Sequence, residues 1–244
     1  MHPSNPDQPA PSRRRLLAGG GALFLTATAA SLLAARPGGS GRSDDDRGRA
    51  AVLSGASPTA SPASGWMPGV TRIPLERNFV RGDRDAQRGL VLHVQEGEGS
   101  LYERFNTPGI KTSSHFWVSR DGETEQYVSV LDRAWAQREG NGSWASVETS
   151  GFATRSLTEA QVDAVARIHA WGAGSHGWPT AVSEHPDQPG LGVHAMGGAA
   201  WGGHACPGTL RSGQRAEIIR RVRERLSAGI PGEGPGPSND ATRR

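Results

Sequence analysis

One cysteine, Cys206, occurs in the 244 residues of the chain, two positions after His204 and twelve after His194. A lone cysteine cannot close an intrachain disulfide. Beside imidazoles it offers the mixture of thiolate and nitrogen donors that zinc favours. A catalytic zinc uses three protein ligands and leaves a fourth position for water, so another ligand must come from elsewhere in the chain. His93, in the apolar run Gly89-Leu-Val-Leu-His93-Val-Gln95, is the best candidate. The plain alternative is a buried free thiol with two unrelated loop histidines nearby.

Zinc held by His93, His194 and Cys206 would polarise a carbonyl and bring the pKa of bound water towards neutrality. Hydrolysis of an amide also needs a group that takes the water proton and passes it to the leaving nitrogen. Glu148, in Ala145-Ser-Val-Glu148-Thr-Ser-Gly151, is the carboxylate expected to do this, although a solvent-facing strand glutamate would look the same. Only Ala205 separates His204 from Cys206. An extended segment would turn both side chains to one face, which leaves His204 open to a ligand role or a place beside the substrate carbonyl. Trp201, between His194 and His204, is the tryptophan best placed to line a groove. Its ring could stack on a sugar, whereas Trp117, Trp135, Trp144 and Trp178 suit a core equally well.

The elements that must position these residues can be read from periodicity. In Leu90 to Gln95, alternation puts Val91, His93 and Gln95 on one face and Leu90, Leu92 and Val94 on the other, as in a strand. Ser114 to Ser119 reads as a second strand, joined by an Asp121-Gly122 turn to a third from Glu125 to Val130. A fourth is expected from Trp144 to Thr149. Thr158-Glu-Ala-Gln161 matches a capping box, and Val162, Val165 and Ile168 follow at helical spacing to about Trp171. Ile218, Ile219, Val222 and Leu226 predict a surface helix between Gly213 and Leu226. Gly172 to Gly203 reads as irregular. His169, His176 and His185 are expected to be ordinary surface or capping groups, and His115 to hydrogen-bond beneath the site. The fold class is mixed α/β, one central sheet flanked by helices.

The chain ends carry other signals. Residues 1–35 hold Arg13-Arg-Arg15-Leu-Leu, an apolar run rich in small residues and an Ala27-Thr-Ala29 site, the pattern of an export signal of the twin-arginine type. Its apolar run of about 18 residues is near the membrane-spanning limit, so a retained anchor is the alternative to cleavage. Residues 36–65, rich in Gly, Ser, Pro and Ala, predict a disordered linker, and residues 229–244 a flexible tail. Residues 66–228 have the size of one domain. The formal charge is +3, and three arginines against Asp7 put two of those charges in the first 35 residues. The remainder is near balance, which argues against a nucleic-acid partner. After signal cleavage no stable membrane association is expected, and a monomer is.

His93-Val-Gln-Glu-Gly97, Ser113-Ser-His115-Phe-Trp-Val-Ser-Arg-Asp-Gly122, Glu125-Gln-Tyr-Val128, Ala134-Trp135, Ser146-Val-Glu148 and Gly203-His-Ala-Cys-Pro-Gly208 follow one another in this order. The series resembles zinc-dependent N-acetylmuramoyl-L-alanine amidases, a group that includes phage amidase lysins, muropeptide amidases and peptidoglycan recognition proteins. The resemblance runs from about Trp66 to Leu226. It implies the fold of that group and cleavage of the amide between N-acetylmuramic acid and L-alanine in peptidoglycan or muropeptides. By position it makes His93, His194 and Cys206 the zinc ligands and Glu148 the general base. His204 then falls where relatives place a polar group that steadies the oxyanion. Ser114 stands where some phage relatives carry a tyrosine, and contact with substrate is expected of it. Ala136 stands where muropeptide amidases often have a histidine. Recognition proteins of this fold can bind muropeptides without cutting them, which gives a non-catalytic binding module as the second reading. Cys206 argues against it, because the cysteine ligand is often replaced in that class.

Overall fold

The run around His93 forms the strand at the heart of the structure. A computed structural model describes residues 64–229, so the expected export signal, nearly all of the expected linker and the expected tail beyond Gly229 lie outside the described residues. In chain order the elements are β1 (Thr71–Arg72), β2 (Phe79–Val80), β3 (Gly89–Val94), α1 (Tyr102–Asn106), β4 (Phe116–Val118), β5 (Thr124–Gln126) and β6 (Arg133–Ala134). A 3-10 turn at Arg138–Gly142 leads to β7 (Ala145–Thr149), α2 (Glu159–His176) and β8 (Gly190–Val193). A second 3-10 segment, His194–Trp201, precedes α3 (Thr209–Gly213) and α4 (Arg215–Ser227). Among the described residues no helix is long and apolar enough to cross a membrane.

The main sheet has six strands in the order β1-β5-β4-β7-β3-β8, and β2 pairs with β6 in a small separate ladder. β4, β7, β3 and β8 run parallel, whereas β5 is antiparallel to β4. Alternation sorts the two faces as expected. Leu90 and Leu92 meet Phe116, Val118, Val147 and Leu191 in the main core, covered by Val162, Val165 and Ile168 of α2 and Ile218 and Val222 of α4. Val91 points to the other face and packs with Trp144 and Trp201.

α2 begins as its sequence specifies. Thr158 accepts from the Gln161 backbone N–H, and the Gln161 side chain accepts in return from Thr158 N–H. It ends five residues later than expected, because glycine does not stop it at 172. A Cβ on Gly172 would lie 2.0 Å from the Trp178 ring, so that glycine serves close packing inside the helix. Gly177, at φ 72°, supplies the left-handed residue that closes it. His169, expected at the surface, is fully buried and donates from Nε2 to the Pro179 carbonyl. His176 belongs to the last turn of α2 and packs edge-on against Trp171. The stretch expected to be irregular contains β8, whose Gly-Leu-Gly-Val sequence offers little strand signal.

Candidate metal centre and active site

β7, β3 and β8 are adjacent and parallel, and each delivers a candidate residue at its C-terminal end, the edge where open α/β sheets place ligands. His93 is the penultimate residue of β3, Glu148 the penultimate residue of β7, and His194 follows β8 directly. His93 and Glu148 are register partners across the β3–β7 pair, so parallel pleating sends both side chains to the same face. Cys206 arrives from the loop before α3. Its Sγ accepts from the Val94 backbone N–H at 3.3 Å.

The ligand atoms of His93, His194 and Cys206 all lie within 4.8 Å of one another, and Cys206 Sγ is 3.8 Å from His93 Nδ1. Tetrahedral zinc with ordinary bond lengths would hold such atoms about 3.3–3.6 Å apart. Small side-chain movements would close the difference. Both rings are also held through Nε2. His93 Nε2–H donates to Gln137 Oε1 at 3.2 Å, and His194 Nε2–H donates to the Trp201 carbonyl at 2.8 Å. Each Nδ1 lone pair is left for a metal, the usual way in which an outer partner fixes a ligating imidazole. Gln137 is oriented in turn, since its Nε2 donates to the carbonyls of Gly140 and Trp144. Nothing in the sequence marked Gln137, which lies 44 residues from the ring that it holds.

The electrostatics suit a cation. Burial, reinforced by His194, pulls His93 down to about 3, and burial also lowers His194. Both imidazoles are therefore neutral lone-pair donors near neutrality. Burial, then the neighbouring Glu148, pushes the Cys206 thiol up to about 12. Zinc is the kind of group that stabilises such a thiolate. Burial pushes Glu148 up to about 7, with Arg211 opposing. Glu148 Oε1 lies 3.9 Å from His93 Nδ1, but with those titrations the pair is no salt bridge near neutral pH. Glu148 Oε2 is buried without a hydrogen-bond partner, although 17 % of the side chain remains exposed. Glu148 lines a pocket of about 480 Å³ together with His93, His194, His204 and Cys206.

His204 is exposed, with its ring centroid 4.9 Å from that of His194. It lines both this pocket and a neighbouring one of about 240 Å³, to which Lys111 and Arg138 bring positive charge. Two expectations need correction. Ser114 is completely buried, and its hydroxyl donates to the Phe116 carbonyl, so it cannot meet a substrate in the pocket. Trp201 is largely buried, edge-on against Trp144 at 6.2 Å, and offers no open ring face to a sugar. Its backbone carbonyl does the work by orienting His194. His115 lies beneath the site as expected: Nδ1 accepts from Ser146 N–H, and Nε2–H donates to the Asp132 carbonyl.

The sequence profile of N-acetylmuramoyl-L-alanine amidases matches residues 83–209, a span that contains His93, Glu148, His194, His204 and Cys206. The chain belongs to this family. Among solved structures, a hydrolase AmiA from Staphylococcus aureus in complex with its ligand is 14 % identical, with a TM-score of 0.52 over 68 % of this chain and 87 % of that one. A selenomethionine derivative of AmpD is 19 % identical, with a TM-score of 0.49 over 64 % of this chain and 96 % of that one. The amidase LysC from Clostridium intestinale URNW is 15 % identical, with a TM-score of 0.45 over 64 % of this chain and 98 % of that one. The AmiA likeness shows a shared amidase fold. Comparison with the curated proteins gives no match.

Proposed function

We propose that the protein is an exported, zinc-dependent N-acetylmuramoyl-L-alanine amidase that acts as a monomer. It would hydrolyse the amide between the lactyl group of N-acetylmuramic acid and the L-alanine of the stem peptide. The observation that carries the reading is the convergence of His93, His194 and Cys206, two rings each held through Nε2, beside a carboxyl with an unpartnered oxygen. Zinc bound by these three residues would supply Lewis-acid polarisation of the scissile carbonyl and an activated water. Glu148 takes the water proton and delivers it to the leaving nitrogen, a task suited to a carboxyl whose pKa is raised towards 7. His204, at the pocket mouth, donates to the developing oxyanion. The neighbouring positive pocket suits a peptide that carries carboxylates.

Mass spectrometry of peptidoglycan digested with the purified protein tests the reading. Release of free stem peptide with an intact L-alanine amino terminus is expected. Binding without release would leave the non-catalytic module. The twin-arginine pattern supports export of a folded, metal-loaded protein, so replacing Arg13, Arg14 and Arg15 with lysine should keep the enzyme inside the cell. Unchanged secretion of that variant would argue for another route.

A further inference from the structure

Arg211 is completely buried at the C-terminal edge of the face of the sheet that α2 and α4 cover. Burying a guanidinium costs several kcal/mol unless its charge and its donors are satisfied. Among the described residues Arg211 forms no ion pair. Its donors go instead to neutral oxygens: Nε to the Arg155 carbonyl, Nη2 to the Ser150 carbonyl, and Nη1 to both the carbonyl and the hydroxyl of Thr149. The chain makes room for it. Gly151, at φ +106°, could not carry a side chain there, because a Cβ would come within 2.7 Å of Arg211 Nη2. Burial works against the charge of Arg211, Glu96 nearby favours it, and a second cation, Arg120, which also borders Gly151, opposes it.

The contact that gives this arrangement a purpose is the Thr149 hydroxyl. It is fully buried, accepts from Arg211 Nη1 at 2.6 Å and donates its own proton to the His93 backbone carbonyl at 2.5 Å. A donor chain therefore runs from the guanidinium, through the last residue of β7, to the main chain of a candidate ligand on β3. Each link polarises the next, so a cation at its head strengthens the bond at its end. We propose that Arg211 is a positioning residue of the metal centre, acting through the Thr149 hydroxyl to fix the main chain from which His93 projects. The proposal rests on the zinc reading above.

Zinc affinity, measured by competition with a chromophoric chelator on the full chain, tests it together with the melting temperature of the metal-free protein. Thr149→Val keeps the β-branched shape and removes the hydroxyl; Thr149→Ser keeps the hydroxyl. Loss of an outer-shell contact typically costs about 10–100-fold in metal affinity. Thr149→Val should therefore bind zinc about tenfold or more weakly, and its cobalt-substituted form should show a changed absorption spectrum. Thr149→Ser should stay within about threefold of the parent. Arg211→Lys should weaken zinc to a similar extent, and the Thr149→Val, Arg211→Lys double variant no further, since both act on one chain. A folded Thr149→Val protein with parental zinc affinity overturns the relay even if Arg211→Lys fails to fold, and so does loss of affinity in Thr149→Ser equal to that in Thr149→Val. A parent chain that takes up no zinc overturns the functional reading and the relay with it.

Discussion

On the covered face of the six-stranded sheet, Leu90, Leu92, Phe116, Val118, Val147 and Leu191 fill the space beneath α2 and α4. On the opposite face the alternate positions of the same strands carry His93, Ser146 and Glu148, with His115 just ahead of β4. One set of strands thus spends half its residues on packing and the other half on buried polar groups. The covered face gains from every apolar contact. The open face keeps an orphaned carboxyl oxygen beside a largely buried thiol, groups that weaken a fold unless chemistry requires them. Variants of the open face should therefore change chemistry with little change in folding, and variants of the covered side should do the reverse.

The sharpest break is at Cys206. Cys206→Ala should lose most of its zinc by elemental analysis, with amidase activity falling to background, while circular dichroism stays that of the parent. Full activity in a metal-free protein would end the ligand assignment. Next, Glu148→Gln should retain zinc and fold but lose roughly two to four orders of magnitude in turnover. Near-normal turnover would shift the proton-transfer role to His204. His204→Ala should cost about a hundredfold, the weight of one oxyanion donor, and keep its zinc, whereas His194→Ala should lose the metal. Reversed zinc contents would exchange the roles of the two histidines.

The smallest effect belongs to the covered side. Burial holds His169 down to about 4, and its buried Nδ1 has no acceptor for a second proton. The unfolded chain takes up that proton below its ordinary pKa of 6.5 and the native state does not. Stability is thus unaffected above pH 6.5 and falls by about 1.4 kcal/mol per unit from there towards pH 4. His115, on the opposite face and held down to about 3, adds a similar slope. His169→Gln should flatten the acid limb of the urea midpoint against pH without altering turnover at neutral pH. An unchanged limb would mean that His169 opens to solvent before it titrates.

Legibility in the sequence followed the range of the cause. The strand at His93, the capping box at Thr158 and the α4 stripe are local patterns, and each appears where its residues predict. β8 was hidden because Gly190 and Gly192 hold positions where side chains would strike Ala181 and Met196, a demand of neighbours rather than of strand propensity. The lone cysteine beside histidines pointed to the ligand trio and a strand carboxylate to Glu148, and the family resemblance matched all four by position. It misled at Ser114, where a small residue turns inward and bonds its own strand. Gln137, Thr149 and Arg211 act on His93 across 44, 56 and 118 positions by hydrogen bonds or through one another, and no local pattern announces such a partner.

The pairing of His93 with Glu148 across β3 and β7 has a consequence for how such a protein can diverge. Their separation is written into a ladder of backbone bonds, and slipping either strand by one residue would turn its group to the wrong side. His204, Lys111 and Arg138 lie outside the strands, and loops accept insertion and exchange. Two of the groups proposed for the chemistry, His93 and Glu148, are therefore locked to the sheet, whereas the charged residues around the pocket can be rewritten.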